Sequence, residues 1–276
     1  MREEKKGILF VLAAAVLYSI GGLCIKLIPW SGLSINAGRC ALAMIVLGTY
    51  MALIHNKLRL NRWIFLGAVG ACGANALFAV ANKMTTAANA IVLQFTAPIF
   101  VILFGLIFFH KKPKKRDLYA CAAVFGGIIF VFLDGLEVGG MMGNVIALIS
   151  GIAYAMVFLL NDLPDGNPLS SIFWGYALSV VIGLPSLMAE TVVSPRILTT
   201  LVILGVFQVA VAHICLCTGL KMTPPVTASL VSGIEPVLNP ILVAVFYGET
   251  IGIFALIGAI IVIGSVVAYN VLEAKQ

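Results

Sequence analysis

One acid, Glu235, lies near the midpoint of the apolar stretch Lys221–Glu249, with Pro236 and Pro240 beside it. An ionised acid at mid-bilayer costs about 2.5–3.5 kcal/mol on insertion scales, so such a group normally faces a cavity or a partner. A carboxyl held there can take and release a proton as water access alternates between two sides. Helical spacings of three and four put Ser229, Ser232, Glu235 and Asn239 in one polar stripe. Pro236 and Pro240 withdraw the hydrogen bonds that the Ser232 and Pro236 carbonyls would accept, which predicts a bend and free acceptors beside the acid. The alternative for Glu235 is structural: a hydrogen bond that locks the bend. Other polar side chains fall inside apolar runs at Tyr18, Asn75, Gln94, Tyr154 and His213. His213 could pass a proton to Glu235 if their helices pack together. The tyrosines could line a cavity and contact a cationic or aromatic solute. Packing is the competing role for each.

The elements holding these residues must be membrane helices. The 276 residues are 62% hydrophobic and 10% charged, with mean hydropathy +1.12; a soluble domain carries about 25% charged residues. Runs such as GILFVLAAAVLYSIGGLCI are continuously apolar and do not alternate, so helices and not barrel strands are expected. Ten spans are predicted, at 7–28, 34–54, 63–81, 87–109, 117–133, 141–160, 169–188, 197–219, 224–247 and 251–271. The basic start MREEKK precedes too long an apolar run for a cleaved signal and reads as part of a retained first helix.

Lysine and arginine placement sets the expected orientation. With the N-terminus inside, 13 basic residues fall in inside segments, and four (Lys26, Arg39, Lys83, Arg196) fall in outside halves. Both termini are therefore expected in the cytoplasm, in a plasma or inner membrane. The acidic connection from Asp134 to Glu137 then lies outside. Trp30 and Trp63, at span ends, are expected to anchor at the interface. Arg39 and Lys26 are expected to snorkel to the headgroups, with Arg39 near an outward mouth where it could pair with a solute carboxylate. Glu249 is a second candidate for a mouth or gate. The net charge of +6 resides in short loops, which gives no nucleic-acid face. The six cysteines have no ligand spacing and read as packing residues. No phosphate loop, HExxH or Ser-His-Asp set is present, so neither an enzyme nor a bound cofactor is expected.

The chain repeats itself. Lys83–Lys112 aligns with Lys221 onward at an offset of 138 residues, pairing Lys83-Met84-Thr85 with Lys221-Met222-Thr223, Ala90 with Ala228, Pro98 with Pro236 and Phe108 with Phe246. Gly7–Ile20 aligns with Gly143–Met156 at an offset of 136, pairing Tyr18 with Tyr154. The expected fold class is thus an all-α integral membrane protein of ten transmembrane helices, in two five-helix units, 1–137 and 138–276. Five is odd, so the second unit enters from the opposite side, giving an inverted-topology repeat with its site near the midplane. The alignment pairs Asn75 with His213 and Gln94 with Ser232, which could ring one cavity.

Three short motifs sit on this layout: Glu235-Pro236 in the ninth span, Tyr247-Gly248-Glu249 at its end, and Arg39-x-x-x-Ala43 opening the second span. Together with the duplication they resemble the EamA-type permeases of the drug/metabolite transporter superfamily, and the resemblance covers both halves. It implies a ten-helix carrier moving small organic solutes, often amino acids or drugs, outward. The chain departs from that pattern after the fourth span, where His110-Lys111 replaces the family's Gly-Glu. The expected function is a secondary transporter of a small metabolite such as an amino acid or organic cation, working by alternating access with protons entering through Glu235. A membrane scaffold or regulatory subunit that transports nothing is the alternative. Lipid is an expected partner; the solute, direction, coupling ion and oligomeric state are left open by the residues.

Overall fold

The computed structural model describes residues 2–133, 141–247 and 253–274. Their regular structure is all helical, with no strand among them. In chain order the helices are α1 (Arg2–Ser19), α2 (Gly21–Leu27), α3 (Gly32–Leu53), α4 (Arg62–Met84), α5 (Ala87–Gln94), α6 (Ala97–Phe109) and α7 (Lys115–Leu133). After 134–140 come α8 (Met141–Phe158), α9 (Pro168–Met188), α10 (Pro195–Ile203), α11 (Ala212–Leu220), α12 (Pro225–Val231), α13 (Glu235–Tyr247) and α14 (Ile253–Ala274). A π-helical stretch, Leu204–Val211, joins α10 to α11, and a 3₁₀ turn, Ser232–Ile234, joins α12 to α13. Seven helical runs are long and apolar enough to cross a membrane, which makes this an integral membrane protein. The remaining expected spans, 117–133, 224–247 and 251–271, correspond to α7, the broken run from α12 to α13, and α14.

Five of the helices begin on a capped first turn. Ser31, Asn61, Thr86, Asn167 and Ser194 each accept an amide hydrogen from the first turn they precede. Pro168 and Pro195 follow two of these caps, where a missing N–H costs nothing. The core forms by α4 packing along α8 and α9, α3 along α9, α1 along α11 and α7 along α14.

Loops gather in two end clusters. At one end Asn167 donates to Asn56 (2.8 Å), Asn61 to the Asp165 carbonyl (3.1 Å), and Lys111 pairs with Asp162 (2.6 Å). At the other, Lys26 caps the Thr85 carbonyl (3.0 Å) while Lys83 caps Ile28, so each lysine closes the C-terminus of the other's helix. Lys26 is therefore a cap and not a free snorkelling chain. Trp30 is also buried: its indole donates to the Val192 carbonyl (2.7 Å) beneath the α9–α10 loop, so it is no lipid-facing anchor.

The single long spans expected from hydropathy are broken in places. Hydropathy reports apolar length and is blind to backbone regularity. The first span breaks at Ile20, the fourth at Phe95–Thr96 and the ninth at the 3₁₀ turn. Pro98 and Pro236 each occupy the second position of the helix after a break, so they start helices and do not bend one. The Ser232 carbonyl, which Pro236 cannot serve, is not left free; the Glu235 amide takes it at three-residue spacing.

The break before α6 rests on Gly151 of α8. A Cβ there would stand 2.6 Å from the Gln94 carbonyl and 2.7 Å from Thr96 Oγ1, with the Leu93 carbonyl at 3.1 Å. Gly151→Ala should destabilise by about 1–3 kcal/mol, because backbone at that distance cannot swing aside. Gly264→Ala, with nothing within 4 Å of the new atom, should be neutral or stabilising by up to about 1 kcal/mol. Thermal unfolding of the two variants in one detergent compares them; equal midpoints would refute the packing argument.

A buried polar cavity with one acid and one arginine

The irregular backbone surrounds one small cavity. Its walls are Tyr18 of α1, Arg39 of α3, Ala74, Asn75 and Phe78 of α4, and Gln94 of α5. Tyr154 of α8, Gln208 of the π stretch, His213 of α11 and Glu235, the first residue of α13, complete it. Non-helical backbone is tolerated at membrane depth where it is buried in protein or lines a cavity, and that is how these breaks are used. The volume is about 30 Å³. That is room for about two waters at roughly 10–15 Å³ each.

Seven residues expected to carry chemistry thus meet: Tyr18, Arg39, Asn75, Gln94, Tyr154, His213 and Glu235. Arg39 does not sit at a surface mouth. It is 1% exposed, and four of its five N–H groups are bound. Nε and Nη2 donate to Asn36 Oδ1 (3.3 and 3.2 Å), Nη2 also to the Asn75 carbonyl (2.9 Å), and Nη1 to Gln208 Oε1 (3.1 Å). Every one of these acceptors is neutral. Ion pairs among the described residues join Lys6 to Glu3 and Lys111 to Asp162, and no described carboxylate lies within pairing distance of this buried cation. One Nη1 hydrogen remains unused.

Glu235 is 4% exposed, and its Oε2 has no hydrogen-bond partner. Tyr154 lies beside it, its hydroxyl near enough to interact with the carboxyl but outside regular hydrogen-bond geometry, and the Tyr18 hydroxyl has no partner among the described residues. Tyr18 meets Tyr154 edge-on (6.4 Å between centroids) and His213 edge-on (5.2 Å). No hydrogen bond joins His213 to Glu235 directly: the two tyrosines stand between them. His213 Nδ1 donates to the Val209 carbonyl (2.8 Å), which leaves Nε2 as the acceptor of the neutral ring. The Tyr176 hydroxyl donates to the same carbonyl (3.3 Å). Asn75 and Gln94 are anchored on α4 itself, through the Ala71 (2.9 Å) and Ala74 (3.2 Å) carbonyls.

Ser232 and Asn239 do not line the cavity, although they share Glu235's stripe. Both are buried with unpartnered side-chain atoms, and the Asn239 amide lies against Gly22, 2.6 Å from where a Cβ would stand. Gln208 packs in the same way against Gly21. Two adjacent glycines at the α1–α2 break therefore admit two amide side chains. Glu249 lies outside the described residues, as do Gly248 and the connection from Asp134 to Glu137.

Gln208 and Asn36 were not anticipated. Asn36 stands three residues before Arg39, so its reach was readable from helical spacing. Gln208 was hidden by the π stretch. Residues five apart on a regular helix point about 140° away from each other, which separates Gln208 from His213. The π pattern, seen where the Ala212 amide reaches back to the Phe207 carbonyl, brings residues five apart into register.

Comparison with known proteins accords with this architecture. The model of the EamA-like transporter family matches residues 5–133 and 141–271. An uncharacterized transporter of Clostridium kluyveri is 26% identical, over 96% of this chain and 94% of its own. The uncharacterized transporter YwfM of Bacillus subtilis is 26% identical, over 97% and 95%. Solute carrier family 35 member G1 of Mus musculus is 25% identical over 65% of this chain and 53% of its own. A solved crystal structure superposes with a TM-score of 0.80 at 15% identity, covering 99% of this chain and all of the other, which shows a shared fold. Matched along nearly its whole length, the chain belongs to the EamA-like transporter family and is a membrane transporter of the drug/metabolite type.

Proposed function

We propose that this protein is a secondary carrier of a small organic metabolite, an amino acid or organic cation, driven by protons that load Glu235. The observation carrying this reading is the pairing of an uncompensated buried guanidinium with a lone buried carboxyl around one cavity. Arg39 offers a carboxylate a fixed fork with one donor spare, and Glu235 offers an ammonium group or a proton a site. A zwitterion satisfies both at once.

Ten spans in two inverted five-helix repeats, 1–137 and 138–276, are supported by several features. The helix breaks fall at matched positions, since α5 ends at Gln94 and α12 one residue before its counterpart Ser232. Tyr18 and Tyr154 touch across the pseudo-symmetric centre. The family's two matched segments coincide with the two units. Loops assigned to one side meet one another at one end, and loops assigned to the other side meet at the other, as two termini on one side require; lysine and arginine placement favours the cytoplasm for that side.

The cavity is far too small for an amino acid; ligand pockets run to about 300–1,000 Å³. Solute can enter only if the helices around it part, which is alternating access. In proteoliposomes, the purified protein should exchange labelled zwitterionic solute with an unlabelled pool, and an inward or outward pH gradient should drive net movement. A folded protein that exchanges no member of a panel of amino acids and amines would favour the scaffold reading.

A further inference from the structure

A larger cavity, of about 260 Å³, opens at the basic end of the molecule. It lies between α6, the start of α7, α12 and α14, with Lys111, Lys112 and Lys114 on its rim and Val101, Ile102 and Leu159 on its apolar wall. The loop is turned sharply at its start. His110 takes a left-handed conformation (φ 53°), and its amide and that of Lys111 both cap the Gly105 carbonyl. The two acids present are already engaged. Asp162 pairs with Lys111 at 2.6 Å, while Asp117 accepts the Tyr269 hydroxyl (2.8 Å) and the Lys114 amide (2.9 Å). Lys111, Lys112 and Lys114 thus bring three cationic side chains to the rim, and Lys115 and Arg116 follow directly in sequence.

An independent feature adjoins it. Because α7 packs along α14 and not along α6, a groove of about 260 Å³ runs between α6 and α7, lined by Ile99, Ile102, Leu118, Cys121, Ala122 and Phe125. Ile102 lines both, so the basic cleft and the apolar groove adjoin at α6. Leu118 to Phe125 covers about 10 Å along the helix at 1.5 Å per residue.

We infer that this composite site binds one anionic phospholipid, its phosphate against Lys111, Lys112 and Lys114 and one acyl chain in the α6–α7 groove. A basic pocket beside membrane helices attracts anionic headgroups. A soluble phosphate would use only the cleft and leave the groove unexplained, so the paired shape selects a lipid. The inference does not depend on transport or on Glu235.

The test is native mass spectrometry of the full chain in neutral detergent, titrated with dioleoyl phosphatidylglycerol, dioleoyl phosphatidylcholine or inorganic phosphate. One phosphatidylglycerol should be retained per chain, at least about fivefold more tightly than phosphatidylcholine. Gly105→Leu fills the cleft, where an added Cβ meets nothing within 4 Å, and Ala122→Trp fills the groove from an exposed position. Each should lower phosphatidylglycerol retention at least about fivefold, as should Lys112→Gln. Unaltered melting without lipid confirms that these variants fold, and Ala122→Trp serves alone if Gly105→Leu does not. Equal retention of the two lipids, displacement of phosphatidylglycerol by inorganic phosphate alone, or undiminished binding by the groove-filled variant would overturn the assignment.

Discussion

Glu235→Gln is expected to reduce pH-gradient-driven flux in proteoliposomes to the level of protein-free vesicles, while labelled solute still exchanges without a gradient, at a higher half-saturating concentration because its ammonium group loses a counter-charge. Glutamine keeps the shape and polarity of the side chain, so the cavity is preserved. What it lacks is a proton that can be loaded on one side and released on the other. The fold should tolerate the change, because the carboxyl supports little of it: Oε2 has no hydrogen-bond partner, and the approach of the Tyr154 hydroxyl, outside regular geometry, is one that a glutamine oxygen can also receive. A structural carboxyl would instead leave orphaned partners on removal, at about 1–3 kcal/mol each. The melting midpoint should therefore move by less than about 1 kcal/mol-equivalent, within the range of a substitution that touches no paired group. The two readings of Glu235 thus separate cleanly. Full gradient-driven accumulation by the glutamine variant removes the proton role, and a large loss of stability restores the structural one.

The fold was legible in the sequence where hydrophobicity dictates it. Continuous apolar runs located most of the helices, because apolar length is a local property that the chain carries in order. The gathering of Tyr18, Asn75, Gln94, Tyr154, His213 and Glu235 was legible because a polar group in an apolar run has few places to go. Arg39 was misplaced for a physical reason. Snorkelling is the cheap solution for an arginine near a helix end, and nothing charged in the sequence announced a buried partner. Its partners are neutral: an asparagine one turn away, a backbone carbonyl of α4, and a glutamine that reaches it from the π stretch. Backbone acceptors are invisible to a search for charges. The helix breaks were half-visible. Pro98 and Pro236 marked two of them, but the break at Ile20 has no proline, and only its two following glycines hint at the side chains that press against it.

Arg39 carries the largest expected effect on stability. Arg39→Ala strands Gln208 Oε1, leaves Asn36 Oδ1 with only the weak Cys40 thiol donor (3.7 Å), and takes from the Asn75 carbonyl the donor it holds beside its own helical bond. At about 1–3 kcal/mol for a buried acceptor left without its partner, with the void left by a large buried side chain added, the loss should be about 2 kcal/mol or more. Thermal unfolding in detergent would show it, and a midpoint unchanged from the parent would contradict the network's role. Arg39→Lys is the more informative variant for function. One ammonium retains the charge but cannot span acceptors on α3, α4 and the π stretch as a planar fork does, so folding should survive with a loss of about 1–2 kcal/mol. If the spare Nη1 hydrogen receives a solute carboxylate, losing one charge-assisted bond of at least about 1.4 kcal/mol weakens binding at least about tenfold. That penalty belongs to the carboxylate alone. An amino acid should lose affinity for the lysine variant, measured by solute-induced thermal stabilisation, while the amine that lacks its carboxylate should bind parent and variant alike. Equal penalties on both solutes would show that Arg39 shapes the cavity without touching a carboxylate, and would move the solute class from zwitterions to organic cations held by Glu235.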